Sequence, residues 1–122
     1  MNRPVIIALP RPAPLLSMND RDHWRTKARK VKTWRTAVRF AAGHRKPLPP
    51  CVVTITLDVV GNLRRDPHNY FSTVKACVDG LVDSGLWEND TPDWVTTTEP
   101  VLNVIGRKTV PQVIITLTER AA

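Results

Sequence analysis

Residues 51–60 read CVVTITLDVV, and this stretch decides the fold. Cys51, Val53, Ile55, Leu57 and Val59 alternate with Thr54, Thr56 and Asp58. A period of two sends the first set to one face of an extended strand and the second set to the other. Prolines 47, 49 and 50 precede the run and Gly61-Asn62 follow it, so both ends are marked by breakers. A strand apolar on one face needs a covering layer, and the flanking sequence has to supply it.

Downstream, residues 72–84 read STVKACVDGLVDS and the period changes. Val74, Cys77, Val78 and Leu81 form a helical stripe, with Lys75, Asp79 and Asp83 on the opposite side. Gly85 stands where a left-handed C-cap belongs. Gly80 costs about 1 kcal/mol against alanine inside a helix, so its presence predicts close packing by a neighbouring element. Leu86 and Trp87 then return to the core. Upstream, residues 17–43 predict a second helix, capped by Asn19 or Asp20. Its buried face is expected to carry Trp24, Ala28, Val31, Trp34 or Arg35, Val38 and Ala41.

The remaining elements are strands. Residues 5–9 form a short β-rich run closed by Pro10, and residues 94–105 alternate loosely around Pro100, as an edge strand does. Val113, Ile115 and Leu117 mark the last strand. The reading is α+β: one small domain over residues 1–122, in the order β-α-β-α-β-β. A mixed or mostly antiparallel sheet packs against two helices.

Charge narrows the function. The chain has 122 residues, with 18 Lys and Arg against 11 Asp and Glu, a net charge of +7. Its isoelectric point is near 10.1, and a domain value above about 9 is the footprint of a nucleic-acid binder. Ten of the 18 basic residues fall at positions 21–46. Arg21, Arg25, Lys27, Arg29, Lys30, Lys32, Arg35 and Arg39 lie on the first predicted helix; Arg45 and Lys46 follow it. Only Asp20 and Asp22 oppose them, whereas a merely solvated helix mixes signs. Phosphate contact is the expected role. Cys51 and Cys77 lack metal-type spacing and read as buried apolar residues. The apolar run at residues 5–9 is too short for a signal core, and nothing approaches the ~20 residues of a membrane span. A cytosolic protein with no membrane partner is expected.

The candidate chemistry lies between the central strand and the loop beyond the second helix. Divalent metal sites acting on phosphate use one or two carboxylates plus water, and Asp66 and Asp90 are the candidate ligands. Each also has a plainer reading as a turn or helix cap. His68 reads as a ligand, a base or a loop residue. Arg64 and Arg65 suit a phosphate clamp. Lys75 suits transition-state charge stabilisation, or alternatively a surface pair with Asp79.

Three separated segments then resemble one family. Arg64-Arg65-Asp66-x-His68-Asn69, Lys75-Ala76-x-x-Asp79-Gly80-Leu81 and Gly85-Leu86-Trp87-x-x-Asp90 are similar, in that order, to the RusA family of Holliday junction resolvases. Leu16-Ser17-Met18-Asn19-Asp20-Arg21-x-His23-Trp24 resembles that family's entry into its basic helix. The resemblance implies a homodimeric, metal-dependent endonuclease that cuts four-way DNA junctions in the cytoplasm of a bacterium or a phage-infected host. It implies Asp66 and Asp90 as metal-binding carboxylates, His68 beside them and Lys75 as the catalytic lysine. Two departures stand out. His68 occupies the place of a second aspartate, and about three extra residues separate Asn69 from Lys75. Losing one negative charge weakens Mg²⁺ binding, while an imidazole suits a softer ion, so Mn²⁺ enters as an alternative cofactor. The competing expectation is a non-catalytic, structure-selective DNA-binding protein that uses the helix at 21–46. An RNA-binding role has less support, since the strands show no RNP-type aromatic pattern.

Overall fold

The computed structural model describes residues 3–61 and 65–121. Strand β2 (Cys51–Val60) lies at the centre of the sheet, as its alternation requires. Strand β5 (Gln112–Glu119) runs antiparallel along one side of it, pairing Ile55 with Ile115 and Val53 with Leu117. Strand β1 (Val5–Pro10) extends the sheet antiparallel to β5. The other side of β2 is paired in two pieces, both parallel to it: β3 (Val95–Thr97) with Cys51–Val53, and β4 (Val101–Ile105) with Thr56–Val60. Pro100 lies in the gap, where it has no N–H to give a ladder. The interrupted edge expected at residues 94–105 is thus two short strands of a mixed sheet.

Two helices cover one face. Helix α1 (Trp24–Ala42) and helix α2 (Phe71–Asp83) pack on the side that carries Ile7, Leu9, Val53, Ile55, Leu57, Val113, Ile115 and Leu117. Trp34 and Val38 of α1 and Val74, Cys77 and Leu81 of α2 complete the core. The two buried indoles are satisfied: Trp34 Nε1 donates to Pro14 O and Trp87 Nε1 to Pro49 O, each at 3.0 Å, as enclosed Trp N–H groups need. Burial pushes the Cys77 thiol up to about 12, which keeps it unreactive. Neither cysteine is in a disulfide.

The helices meet at Gly80. A Cβ there would lie 2.7 Å from the Arg35 carbonyl oxygen and 2.8 Å from Val38 Cβ, so only glycine admits this approach. Gly85, at φ 91°, turns the chain out of α2.

Helix α1 differs from expectation at its start. It begins at Trp24, not near Ser17, and His23 caps it, its Nδ1 accepting from Arg25 N at 3.2 Å. Asp20 closes a tight turn instead, accepting from Ser17 N at 3.0 Å. Met18 N donates to Asn69 O at 2.8 Å, which fixes that turn beside α2. The first turns of α1 therefore overhang the core. Trp24 is 67% exposed and Ala28 is exposed too, contrary to the predicted buried face.

Among the described residues, the outer face of the sheet has no covering layer. Ile6 and Ala8 of β1, Ile114, Thr116 and Thr118 of β5, and Val52, Thr54 and Thr56 of β2 share it. Asp58 is the charged residue among the outward positions of these strands. It is buried, and it accepts from Asn103 Nδ2 at 2.8 Å and from Gln112 N at 2.9 Å. No helix among the described residues is long and apolar enough to cross a membrane.

Candidate active site

The chain leaves β2 and enters a 3₁₀ turn, Pro67–Tyr70, that leads directly into α2. Asp66 caps this turn: Oδ1 accepts from His68 N at 3.0 Å. The plainer reading of Asp66 is therefore realised, and its carboxylate remains exposed. His68 is exposed, and its ring meets the edge of Phe71 with centroids 5.2 Å apart. Arg65 is half-buried. Its two terminal nitrogens donate to Tyr70 Oη and Val60 O, both at 3.0 Å. That guanidinium ties the strand's exit to the turn, so it serves the scaffold more directly than a phosphate. Arg64 lies outside the described residues.

Lys75 stands one turn into α2 with its side chain 62% exposed. Its ammonium donates to Asp79 Oδ1 at 2.9 Å and also to Asp90 Oδ2. The second contact crosses from helix to loop. Asp90 reaches it because Leu86 and Trp87 are buried and anchor the loop, while Leu48 N donates to Leu86 O at 2.9 Å. Beyond Asp90, Asn89 Oδ1 accepts from Thr91 N at 3.0 Å and stiffens the turn. The hydrogen bond from Lys75 holds the Asp90 carboxyl below its ordinary value of 3.8. In return Asp90, and then Asp79, raise the Lys75 ammonium above 10.5.

Two carboxylates thus share one cation, leaving an excess negative charge beside a hollow of about 250 Å³. Phe71, Lys75, Asp90, Val95 and Thr97 line it. Phe71 links the two halves of the candidate site: its ring touches His68 on one side and the hollow on the other. Among the described residues no three His, Cys, Asp or Glu side chains converge as a ready metal cage. The pair that does converge on a cation is Asp79 with Asp90, and oxygen donors around an ammonium match a hard divalent ion in kind. Asp79 read from the sequence as the surface companion of Lys75. Its four-residue spacing from Lys75 was the signal that placed it here.

The basic helix is divided. Lys30 pairs with Asp22 at 2.5 Å, and Arg35 forms a two-pronged contact with Asp83 at 2.9 and 3.1 Å. Arg25, Lys27, Arg29 and Lys32 are exposed and have no ion pair among the described residues. Arg21 is exposed just ahead of the helix. The opposing acid for Arg35 comes from α2, which the spacing within α1 could not reveal.

No family model and no curated protein matches this sequence.

Proposed function

We propose that this chain is a metal-dependent endodeoxyribonuclease that resolves four-way DNA junctions by paired hydrolysis of phosphodiesters. The observation that carries the proposal is the Lys75 ammonium held between Asp79 and Asp90, beside a helix whose exposed cations face solvent. The three-segment resemblance to RusA-type resolvases supports the same reading. Asp90 would hold the ion beside Asp79, which shares its cation, and the resemblance adds Asp66 and His68 as the further ligands. A bound Mg²⁺ or Mn²⁺ supplies charge neutralisation and a more acidic water.

The chain's own residues do the rest. Arg25, Lys27, Arg29 and Lys32 grip phosphates, because displacing counterions from DNA favours binding whatever the sequence. Lys75 is positioned to transfer its hydrogen bonds from carboxylate to a phosphate oxygen as negative charge builds there. The buried anchors Leu86 and Trp87 keep Asp90 in place while this happens.

Paired cleavage requires two sites, and a junction has approximate two-fold symmetry, so the proposal includes a homodimer. The outer sheet face suits that contact. It offers Ile6, Ile114 and a row of threonines, and no Lys or Arg stands among its outward positions on β1, β2 and β5. A face without Lys or Arg limits the repulsion between two copies of a +7 chain. Trp34 is fully buried and takes no part in such a contact; Phe40 is 79% exposed on α1.

A second reading is favoured by the same ion pair: with Lys75 already neutralising Asp90, the chain binds branched DNA without cutting it. Nicking of a labelled four-way junction, beside linear duplex, with Mg²⁺, Mn²⁺ or EDTA separates the two. Symmetric nicks on the junction, lost in Asp66→Asn and Asp90→Asn, support the nuclease. Tight junction binding with no cleavage under either metal overturns it.

A further inference from the structure

Trp24 occupies a position that core packing does not explain. It is 67% exposed at the start of α1, and the Arg25 guanidinium lies 5.2 Å from its ring centroid. Beside it runs a groove of about 600 Å³ along α1. Trp24, Ala28 and Val31 are its apolar lining, Lys27 and Lys32 line it as cations, and the Arg35–Asp83 pair lines it as well. Neither lysine has an ion pair among the described residues. Val31 also lines the next hollow, together with Phe71, Lys75 and Asp79. Val31 thus borders both the groove and the hollow beside Lys75.

An aromatic floor bordered by unpaired cations matches one ligand chemistry closely: a flat, uncharged ring flanked by phosphates. A regular duplex hides its base faces and would use only the lysines. A second copy of this chain would bring cations against cations. We propose that the groove is a nucleobase subsite, in which an unpaired base of a DNA strand stacks on Trp24 while Lys27 and Lys32 hold the neighbouring phosphates. Base–aromatic stacking tolerates any sequence because every base has a π-face. The subsite rests on the reading of α1 as a DNA-binding face and deepens it: strands opened at a branch point are led toward Lys75.

The test is fluorescence and affinity in EDTA, so that cleavage plays no part. The probes are an oligothymidylate, a four-way junction with 2-aminopurine at the branch point, and a fully paired duplex. Wild type quenches the 2-aminopurine on binding. Trp24→Ala abolishes that quenching and weakens single-strand binding about ten-fold to a hundred-fold, the usual scale of one lost stack, while duplex affinity changes less than about two-fold. Trp24→Phe retains most of the binding. Because Trp24 is exposed, unchanged circular dichroism is expected for both variants. Equal weakening for duplex and single strand, or no weakening at all, overturns the subsite. Intact duplex binding in that case leaves the basic-face reading standing, whereas a wild type that binds no DNA overturns both.

Discussion

The ammonium of Lys75 reaches from α2 to the carboxylate of Asp90, 15 residues further on, while also holding Asp79 one turn away. This contact makes Asp90 a stronger acid and Lys75 a weaker one. Replacing Lys75 by Met leaves two carboxylates facing each other without their cation. The Asp90 midpoint then rises from below 3.8 to above it, and Mn²⁺ binds more tightly while any cleavage slows. Carboxyl-carbon NMR titration and calorimetry with Mn²⁺ alone measure both. An unmoved Asp90 midpoint would show that the ion pair is absent in solution.

The same pair sets a pH window. Asp90 is depressed in the folded state, so its contribution is present above about 3.8 and lost as pH falls through the folded value. Lys75 is raised, so its contribution is present below 10.5 and lost as pH rises through its folded value. Both groups are partly exposed and solvent screens them. Melting temperature is therefore expected to be nearly flat between these limits and to fall only modestly outside them on this pair's account. In Lys75→Met the pair's share of the acid-side loss disappears, which a pH series of thermal melts will register.

Gly80 offers a sharper stability test. Alanine improves helix propensity by about 1 kcal/mol, but its Cβ collides with the Arg35 carbonyl, a backbone atom that cannot rotate away. Overpacking of this kind costs about 1–3 kcal/mol, so Gly80→Ala is expected to be destabilised by a net amount of up to about 2 kcal/mol. Urea unfolding measures it. A stabilised variant would mean that the helices separate easily.

The sheet was largely legible because β2 alternates over most of its length, with only Val52 and Val60 apolar on the outward side, and a sustained period of two points to a strand. The stripe of α2, its glycine stop and the close approach at Gly80 were legible for the same reason. What local sequence could not show were contacts between distant segments. The helix expected from residue 17 starts only at Trp24, because Met18 is drawn to Asn69 and Asp20 closes a turn instead of a cap. Trp24 and Ala28 keep the spacing of a buried stripe where no second helix lies beneath them. Asp58 looked like a solvent-facing partner of Thr54 and Thr56 but joins three strands. In the candidate site, Asp66, Lys75 and Asp90 were named from their chemistry and Asp79 from its spacing to Lys75, while Phe71 joined them only through geometry.

Salt dependence distinguishes the two kinds of basic residue on α1. Lys27 and Lys32 have no acidic partner among the described residues, so each charge removed should reduce the slope of log affinity against log salt by about 1. Lys30 and Arg35 are engaged with Asp22 and Asp83, so their removal should change the slope less. Arg35→Ala should lower thermal stability instead, since it unties α1 from α2. Filter binding to duplex DNA across a salt series reads the slopes; equal slopes for all four variants would dissolve the distinction.

His68 carries the last prediction. Its backbone N–H is already committed to Asp66 and its ring rests against Phe71, which lines the hollow beside Asp90. An imidazole there adds no negative charge and favours a softer ion than a third carboxylate would. Wild type is therefore expected to respond better to Mn²⁺ than to Mg²⁺. His68→Asp adds one negative charge near Asp66 and is expected to shift the preference toward Mg²⁺ at lower concentration. The readout is metal titration of junction nicking, paired with calorimetric Mn²⁺ binding so that a silent enzyme still reports. If both proteins give the same metal profile, His68 belongs to the turn and not to the ion.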